Sequence, residues 1–129
     1  MTCFWDGILH NLNDDDFQRV FQVNKPNNKN LIKLLKDNNR KTKNINWNGE
    51  IFSEKQLEEN FIHIKDFNEK FIGNGYLCST CDPFLVLICE LFTVNINHNY
   101  CGYLMTYTNS KSIKTLNFKS NKSHFSAIK

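Results

Sequence analysis

Two residues near opposite ends of the chain have side chains suited to nucleophilic catalysis. Cys3 stands where the helical spacing of Phe4, Ile8 and Leu12 predicts that a helix begins. The positive end of a helix dipole lowers the pKa of a thiol, so thiolate becomes available there. His124 lies 121 residues later, at the start of a predicted last strand. An imidazole can take the thiol proton, the thiolate can attack a carbonyl carbon, and the imidazolium can protonate the leaving amine.

The elements that must position Cys3 begin with helices. Apolar residues at helical spacing, together with capping residues, predict four helices in the first half of the chain. The first helix starts near Cys3, and the second starts at the caps Asp14 to Asp16. The third spans about 28 to 38, and the fourth runs from the capping box of Ser53 to about 67. The polar segment 38–50 is predicted to be a loop.

The second half of the chain changes from a helical to a strand pattern. A turn at Gly73-Asn74-Gly75 precedes an apolar helix from Pro83 to Phe92, which is predicted to be central and buried. Alternating residues then predict strands at 94–100, 103–108, 112–118 and 124–128. Helices followed by strands indicate one α+β domain over 1–129, with helices packed on a small, mostly antiparallel sheet from the C-terminal half.

Length and composition exclude several classes of protein. A chain of 129 residues with 40% hydrophobic residues is one folded domain, and a net charge of +3 does not favour a nucleic-acid binder. No apolar run reaches the roughly 18 residues of a membrane helix. The first dozen residues lack the basic region of a signal peptide, and five cysteines are expected to be thiols in the reducing cytoplasm. Clusters of Asn indicate an AT-rich genome, viral or protozoan.

Several segments together resemble one family of enzymes. A cysteine at a helix start with a histidine on a late strand is the layout of papain-like cysteine peptidases. Cys3-Phe4-Trp5-Asp6-Gly7-Ile8 resembles the cysteine box of the OTU (ovarian tumour) family, and His124-Phe125 resembles its histidine box. Gly73-Asn74-Gly75-Tyr76 with the following buried helix, and the strand at 94–98, resemble the middle of that family.

The resemblance implies an activity and its substrates. Cys3 would be the nucleophile, His124 the general base and acid, and the Cys3 backbone N–H one oxyanion donor. Neither a metal nor a cofactor is implied. The substrates would be isopeptide bonds of ubiquitin or a ubiquitin-like protein, or a site in a viral polyprotein. A monomer in the host cytosol is expected, without a nucleic-acid partner.

Two departures from the family pattern concern the oxyanion hole and the residue that orients the imidazole. The family usually has Asp-Gly-Asn before the nucleophile, whereas Met1 and Thr2 precede Cys3 here. It usually has Asn or Asp two residues after the histidine, where this chain has Ser126. Ser126, Asn117 or Asn121 could serve as the third residue, or the site could work as a Cys–His dyad.

The same resemblance indicates which residues surround the nucleophile. Cys3, Thr2, Trp5 and Phe125 are expected at the oxyanion hole and substrate channel, with core packing as the alternative for Trp5. Asp6 is expected to support the helix N-terminus, or to meet a substrate Arg. Other acidic candidates for that Arg are Asp14, Asp15, Asp16, Glu58 and Glu59.

A different class of function stays open beside the peptidase. Cys78, Cys81, His98 and Cys101 have the spacing C-x2-C-x16-H-x2-C, tolerable for zinc, although His98 and the thiols also suit a core. The chain could then be a small zinc-stabilised interaction domain, or a degenerate peptidase that binds ubiquitin or a host protein without cleaving it. Cys89 is predicted to be core, and His10 and His63 are predicted to lie on the surface.

Overall fold

A computed structural model describes residues 2–68, 70 and 80–128 of the chain. Five helices lie in this part of the protein, and each agrees with a predicted helix to within about two residues. They are α1 (Cys3–Asn11), α2 (Asp14–Phe21), α3 (Asn28–Asp37), α4 (Glu54–Asp66) and α5 (Pro83–Phe92). The predicted turn at Gly73-Asn74-Gly75 lies outside the described residues.

The described strands form one mixed sheet in the order β2-β1-β4-β3-β5-β6. All neighbouring pairs are antiparallel except β3 and β5, which run parallel. The domain is therefore α+β with a mostly antiparallel sheet, as predicted. The strands are β1 (Ile45–Trp47), β2 (Glu50–Ile51), β3 (Asn95–Tyr100), β4 (Tyr103–Asn109), β5 (Thr115–Ser120) and β6 (Phe125–Ile128).

The first two strands correct the prediction that 38–50 is a loop and that only the C-terminal half builds the sheet. Ile45 and Trp47 pair with Asn109 and Tyr107 of β4, and Ile45 is buried. The side-chain oxygen of Asn48 adds a hydrogen bond between the same segments by accepting from the N–H of Thr106. A strand of two or three residues is too short for a period of two to be recognised, and partners 60 residues away decide its pairing.

Capping side chains define where four of the helices begin, among them Asn27 for α3. Ser53 and Gln56 form the predicted capping box of α4. Asp82 accepts from the N–H groups of Phe84 and Leu85, and Pro83 occupies the first turn of α5, as predicted. The N-cap of α2 is Asn13 rather than one of the three acids, because the Asn13 side chain forms a capping box with Asp16.

The core lies between the helices and one face of the sheet, with α5 at its centre. Seven of the ten α5 residues are buried, so the apolar character on all its sides has its expected cause. Trp5 and Phe67 pack edge-to-face on Phe84 of α5, at centroid distances of 4.9 and 5.1 Å. The strand predicted at 112–118 begins later, as β5 at Thr115. Ile113 therefore precedes the strand, and it is 60% exposed.

A partly buried ion pair connects α2 to the residue that precedes β5. The Lys114 ammonium lies 2.6 Å from a carboxylate oxygen of Asp16. Burial alone would raise the pKa of Asp16, but hydrogen bonds from Lys114 and Asn13 outweigh it and hold that pKa below its ordinary value. Asp16 stays charged at neutral pH and links a helix to the sheet.

No helix in the described part of the chain combines the length and the apolar character needed to cross a bilayer.

Burial of His98 predicts a pH-dependent stability. Because the ring is buried, its pKa falls to about 4 from the ordinary 6.5. Below pH 6.5 the His98 ring of the unfolded chain therefore binds a proton, whereas in the folded protein the ring stays neutral down to about pH 4. We expect the free energy of unfolding to fall by about 2 kcal/mol between pH 7 and pH 5 from this group. Urea denaturation at the two pH values measures the change.

Two further measurements separate His98 from other groups. In His98→Gln most of this pH dependence should disappear, whereas His10→Gln, which changes a partly exposed imidazole, should retain it. An NMR titration of the wild-type ring should show a midpoint near pH 4. A midpoint near 6.5 would contradict the prediction even if the His98 variant does not fold.

Candidate active site

Cys3 is the first residue of α1, and the local contacts leave its N–H directed out of the helix end. Thr2 is the N-cap, but its side chain does not cap the helix; its hydroxyl donates instead to Asp6 at 2.8 Å. The Asp6 N–H donates to the Thr2 carbonyl at 2.9 Å. The N–H groups of a first helical turn have no acceptor within the helix. The Cys3 N–H can therefore donate a hydrogen bond to an atom that becomes negatively charged beside the thiol.

Asp6 joins the first turn of α1 to α3. One carboxylate oxygen accepts from the Thr2 hydroxyl, and the other accepts from the Asn28 amide at 2.7 Å. A carboxylate in the first turn also interacts favourably with the helix dipole. Both oxygens thus hold the end of the helix that carries Cys3, and Asp6 supports this N-terminus as expected.

The backbone of His124 is held by a turn that depends on Asn121. The Asn121 side-chain oxygen accepts from the N–H of Ser123 and from the N–H of His124, both at 2.9 Å. It also accepts from the Ser123 hydroxyl at 3.1 Å. The Asn121 N–H closes the turn by donating to the His124 carbonyl. His124 is therefore presented from a fixed turn immediately before β6, while its side chain is exposed.

Contact between α1 and β6 brings Cys3 and His124 to one place. A Cβ atom at Gly7 would lie 2.9 Å from a ring carbon of Phe125 and 3.6 Å from the backbone nitrogen of Ala127. Only glycine allows this approach without movement of the ring. Phe125 in turn packs on Phe4, with centroids 4.8 Å apart. The helix that begins at Cys3 is thus held against the strand that begins after His124.

The two predicted catalytic residues line the same open cleft. Its volume is about 310 Å³, and Cys3 within it is half-buried. His10 is exposed, as predicted, and it also lines this cleft, which the sequence did not lead us to expect. The spacing 3, 6, 10 along α1 is a helical stripe and could have indicated it. The lining residues are Cys3, Asp6, Gly7, His10, His124, Phe125, Ser126 and Ala127.

None of the three candidates for the third residue bonds to the His124 ring, although Ser126 lines the same cleft. Asn121 binds the backbone of the turn, and the Asn117 side-chain oxygen accepts from Asn97 at 3.3 Å. Ser126 pairs with Lys119 across the β5–β6 ladder and, by alternation along the strand, lies on the opposite face from Phe125. Among the described residues no hydrogen bond reaches the His124 ring, so the structure brings together a cysteine and a histidine without an orienting partner.

The predicted channel residues divide into two groups. Thr2 and Phe125 lie beside Cys3, and Phe125 lines the cleft. Trp5 is only 1% exposed and contacts Phe4 edge-to-face at 5.0 Å, so its assignment as a channel wall does not agree with its position in the core. Trp5 lies beside the row of α1 residues that line the cleft, on the side of the helix that packs into the core.

The alternative zinc ligands do not assemble in the described part of the chain, where no three metal-ligating side chains lie together. Cys78 lies outside the described residues. His98 is buried, with Nε2 2.6 Å from the Ser120 hydroxyl. Burial, followed by the charge of Asp82, raises the pKa of the Cys81 thiol to about 12, which disfavours thiolate. Cys101 is exposed in the turn after β3, and Cys89 is buried in the core as predicted.

Comparisons of the chain with protein-family models, with curated proteins and with solved structures find no match.

The close contact at Gly7 predicts that a Gly to Ala substitution in α1 destabilises the protein, whereas this substitution in a helix ordinarily stabilises it. Gly to Ala within a helix ordinarily stabilises by about 0.8–1 kcal/mol. Here the added methyl group meets the Phe125 ring at 2.9 Å, so Gly7→Ala should destabilise by about 1–3 kcal/mol. Thermal or urea denaturation checks this. In the double variant with Phe125→Leu, the cost of the methyl group should shrink, and strict additivity would contradict the contact.

The turn before β6 predicts a local effect of Asn121. Asn121→Ala removes the acceptor for two backbone N–H groups, so hydrogen exchange at Ser123 and His124 should accelerate. The free energy of unfolding should fall by about 1 kcal/mol. Asn121→Asp keeps an acceptor oxygen and is the matched control, with exchange close to wild type. Unchanged exchange in Asn121→Ala would mean that this side chain does not hold the turn.

Proposed function

We propose that the protein is a cysteine peptidase with an OTU-like fold. The observation that carries the proposal is the shared cleft. Cys3 and His124 are 121 residues apart in the chain but line the same opening of about 310 Å³, one at a helix N-terminus and one before an edge strand. A half-buried thiol that lines the same cleft as an exposed imidazole supports nucleophilic acyl transfer.

The reaction follows from the atoms that this cleft presents. His124 takes the proton from the Cys3 thiol, and the thiolate sulfur attacks the carbonyl carbon of the scissile amide. The carbonyl oxygen becomes an oxyanion, to which the Cys3 N–H donates at the positive end of α1. His124 then gives its proton to the leaving amine as the C–N bond breaks. Water, deprotonated by His124, hydrolyses the thioester and regenerates the thiol.

The substrate class in this proposal comes from the sequence resemblance. The candidates are isopeptide bonds of ubiquitin or a ubiquitin-like protein, and a site within a viral polyprotein. The openness of the cleft supports a polypeptide substrate, because an extended chain needs a groove rather than an enclosed cavity. The solvent exposure of His124 supports proton exchange with water during thioester hydrolysis.

A thiol-reactive derivative of ubiquitin tests the nucleophile. Ubiquitin carrying an electrophile at its C-terminus should form one covalent adduct with the wild-type protein, visible by intact mass. Cys3→Ala should lose the adduct and at least 10³-fold of the cleavage rate of a ubiquitin-linked reporter, while circular dichroism stays unchanged. Cys101→Ala, which removes another exposed thiol, is the matched control and should react like wild type.

One observation favours a non-catalytic second candidate, a ubiquitin- or host-protein-binding module. Within the described residues the His124 ring has no hydrogen-bond partner, whereas an orienting partner for the imidazole is the usual support of such sites. For that candidate, ubiquitin would bind reversibly and the electrophile would leave Cys3 unmodified. An adduct that persists in Cys3→Ala would contradict the proposed nucleophile directly.

A further inference from the structure

A second cleft adjoins the first and shares two residues with it. Its volume is about 370 Å³, and His124 and Ser126 line both openings. Cys3 lines only the first. The remaining lining residues of the second cleft come from the ends of β3 and β5 and the turns that follow them: Asn99, Cys101, Gly102, Lys119, Ser120 and Asn121.

The floor of this second cleft is a row of side chains on the face of the sheet away from α1. Asn99 is in register with Lys119 across β3 and β5, and Lys119 is in register with Ser126 across β5 and β6. Residues in register on neighbouring strands emerge from the same face of a sheet. Alternation places Phe125, which packs on α1, on the other face. The two clefts therefore extend to opposite sides of the edge strand β6 and meet at His124 and Ser126, which line both.

Two turns enclose this row at one end. Cys101 and Gly102 have φ values of 50° and 90°, and they form the tight connection between β3 and β4. The Cys101 N–H donates to the Ser120 carbonyl at 3.0 Å, and the Gly102 N–H donates to the Asn99 side chain at 2.8 Å. Because one backbone bond and one bond to the Asn99 side chain hold this connection, the cleft is present without any rearrangement.

Charge distinguishes the two clefts. Lys119 contributes a permanent positive charge to the second cleft, whose lining includes no carboxylate. Among the described residues Lys119 forms no ion pair. The first cleft instead contains the carboxylate of Asp6. A ligand segment in the second cleft would thus meet the unpaired Lys119 ammonium group and neutral amide and hydroxyl groups. These surroundings suit a carboxylate.

The chemistry of acyl transfer assigns a role to each side. The acyl group stays bonded to Cys3, so it occupies the cleft that contains the thiol. The amine that leaves must receive its proton from His124, so it departs on the side that contains His124 but not Cys3. Resting on the proposed peptidase function, we propose that the second cleft binds the leaving-group side of the substrate. Lys119 there selects a segment with a carboxylate next to the scissile bond.

Substrates that differ only in the leaving group test this assignment. Ubiquitin joined through its C-terminal glycine to the lysine side chain of a short peptide provides them, with Glu, Gln or Lys beside that lysine. At low salt, wild type should cleave the Glu peptide with about fivefold higher kcat/KM than the Gln peptide. The ratio should approach one in Lys119→Gln and invert in Lys119→Glu. Added salt should weaken the wild-type preference.

Two controls separate this charge effect from other causes. Lys111→Glu makes the same charge change at an exposed site outside the cleft and should keep the wild-type ratio. A ubiquitin aminocoumarin, whose leaving group has no carboxylate, should be cleaved by Lys111→Glu at the wild-type rate, and Lys119→Gln should change its kcat/KM less than that of the Glu peptide. Cleavage by the Lys119 variants with the wild-type ratio would overturn the leaving-group assignment alone. Failure of wild type to cleave any of these substrates would overturn the peptidase function and this assignment with it.

Discussion

The close packing of α1 against β6 is the contact on which the candidate site depends. It exists because Gly7 has no side chain, so the Phe125 ring lies where a methyl group would otherwise be. The helix begins at Cys3 and the strand follows His124, so this one interface sets the relation between thiol and imidazole. Packing interfaces of this kind tolerate little change in volume. The contact between Gly7 and Phe125, which both line the cleft, thereby controls the geometry of the site.

The rest of the fold holds these two elements in place. The α5 helix fills the centre of the domain, and the aromatic rings of Trp5 and Phe67 pack on it. The pair of Asp16 and Lys114 fastens a second N-terminal helix to the sheet, while Asp6 with Asn28 fastens the end of α1 to α3. A helix of nine residues is not stable alone, so the presentation of Cys3 is a property of the whole domain.

Prediction from the sequence succeeded where local patterns were strong. Five helices, the capping box at Ser53, the buried α5 and four strands of the sheet follow from periodicity and capping alone. It failed for β1 and β2, because the few residues of β1 pair with the distant strand β4 and β2 pairs only with β1. It left Trp5 open between a channel wall and the core, and it did not indicate that the exposed His10 lines the cleft, because a helical stripe predicts which residues share a face but not what that face meets.

The chain by itself determined a cysteine at a helix start, a histidine before a final strand, and an α+β order of elements. These are local properties, since helix dipoles, caps and alternation act over a few residues. Only the tertiary structure decided that the two residues share a cleft, that Lys119 belongs to a second cleft beside it, and that His98 is a neutral core histidine. Strand register and helix approach are set by packing between distant segments, and no local pattern encodes them.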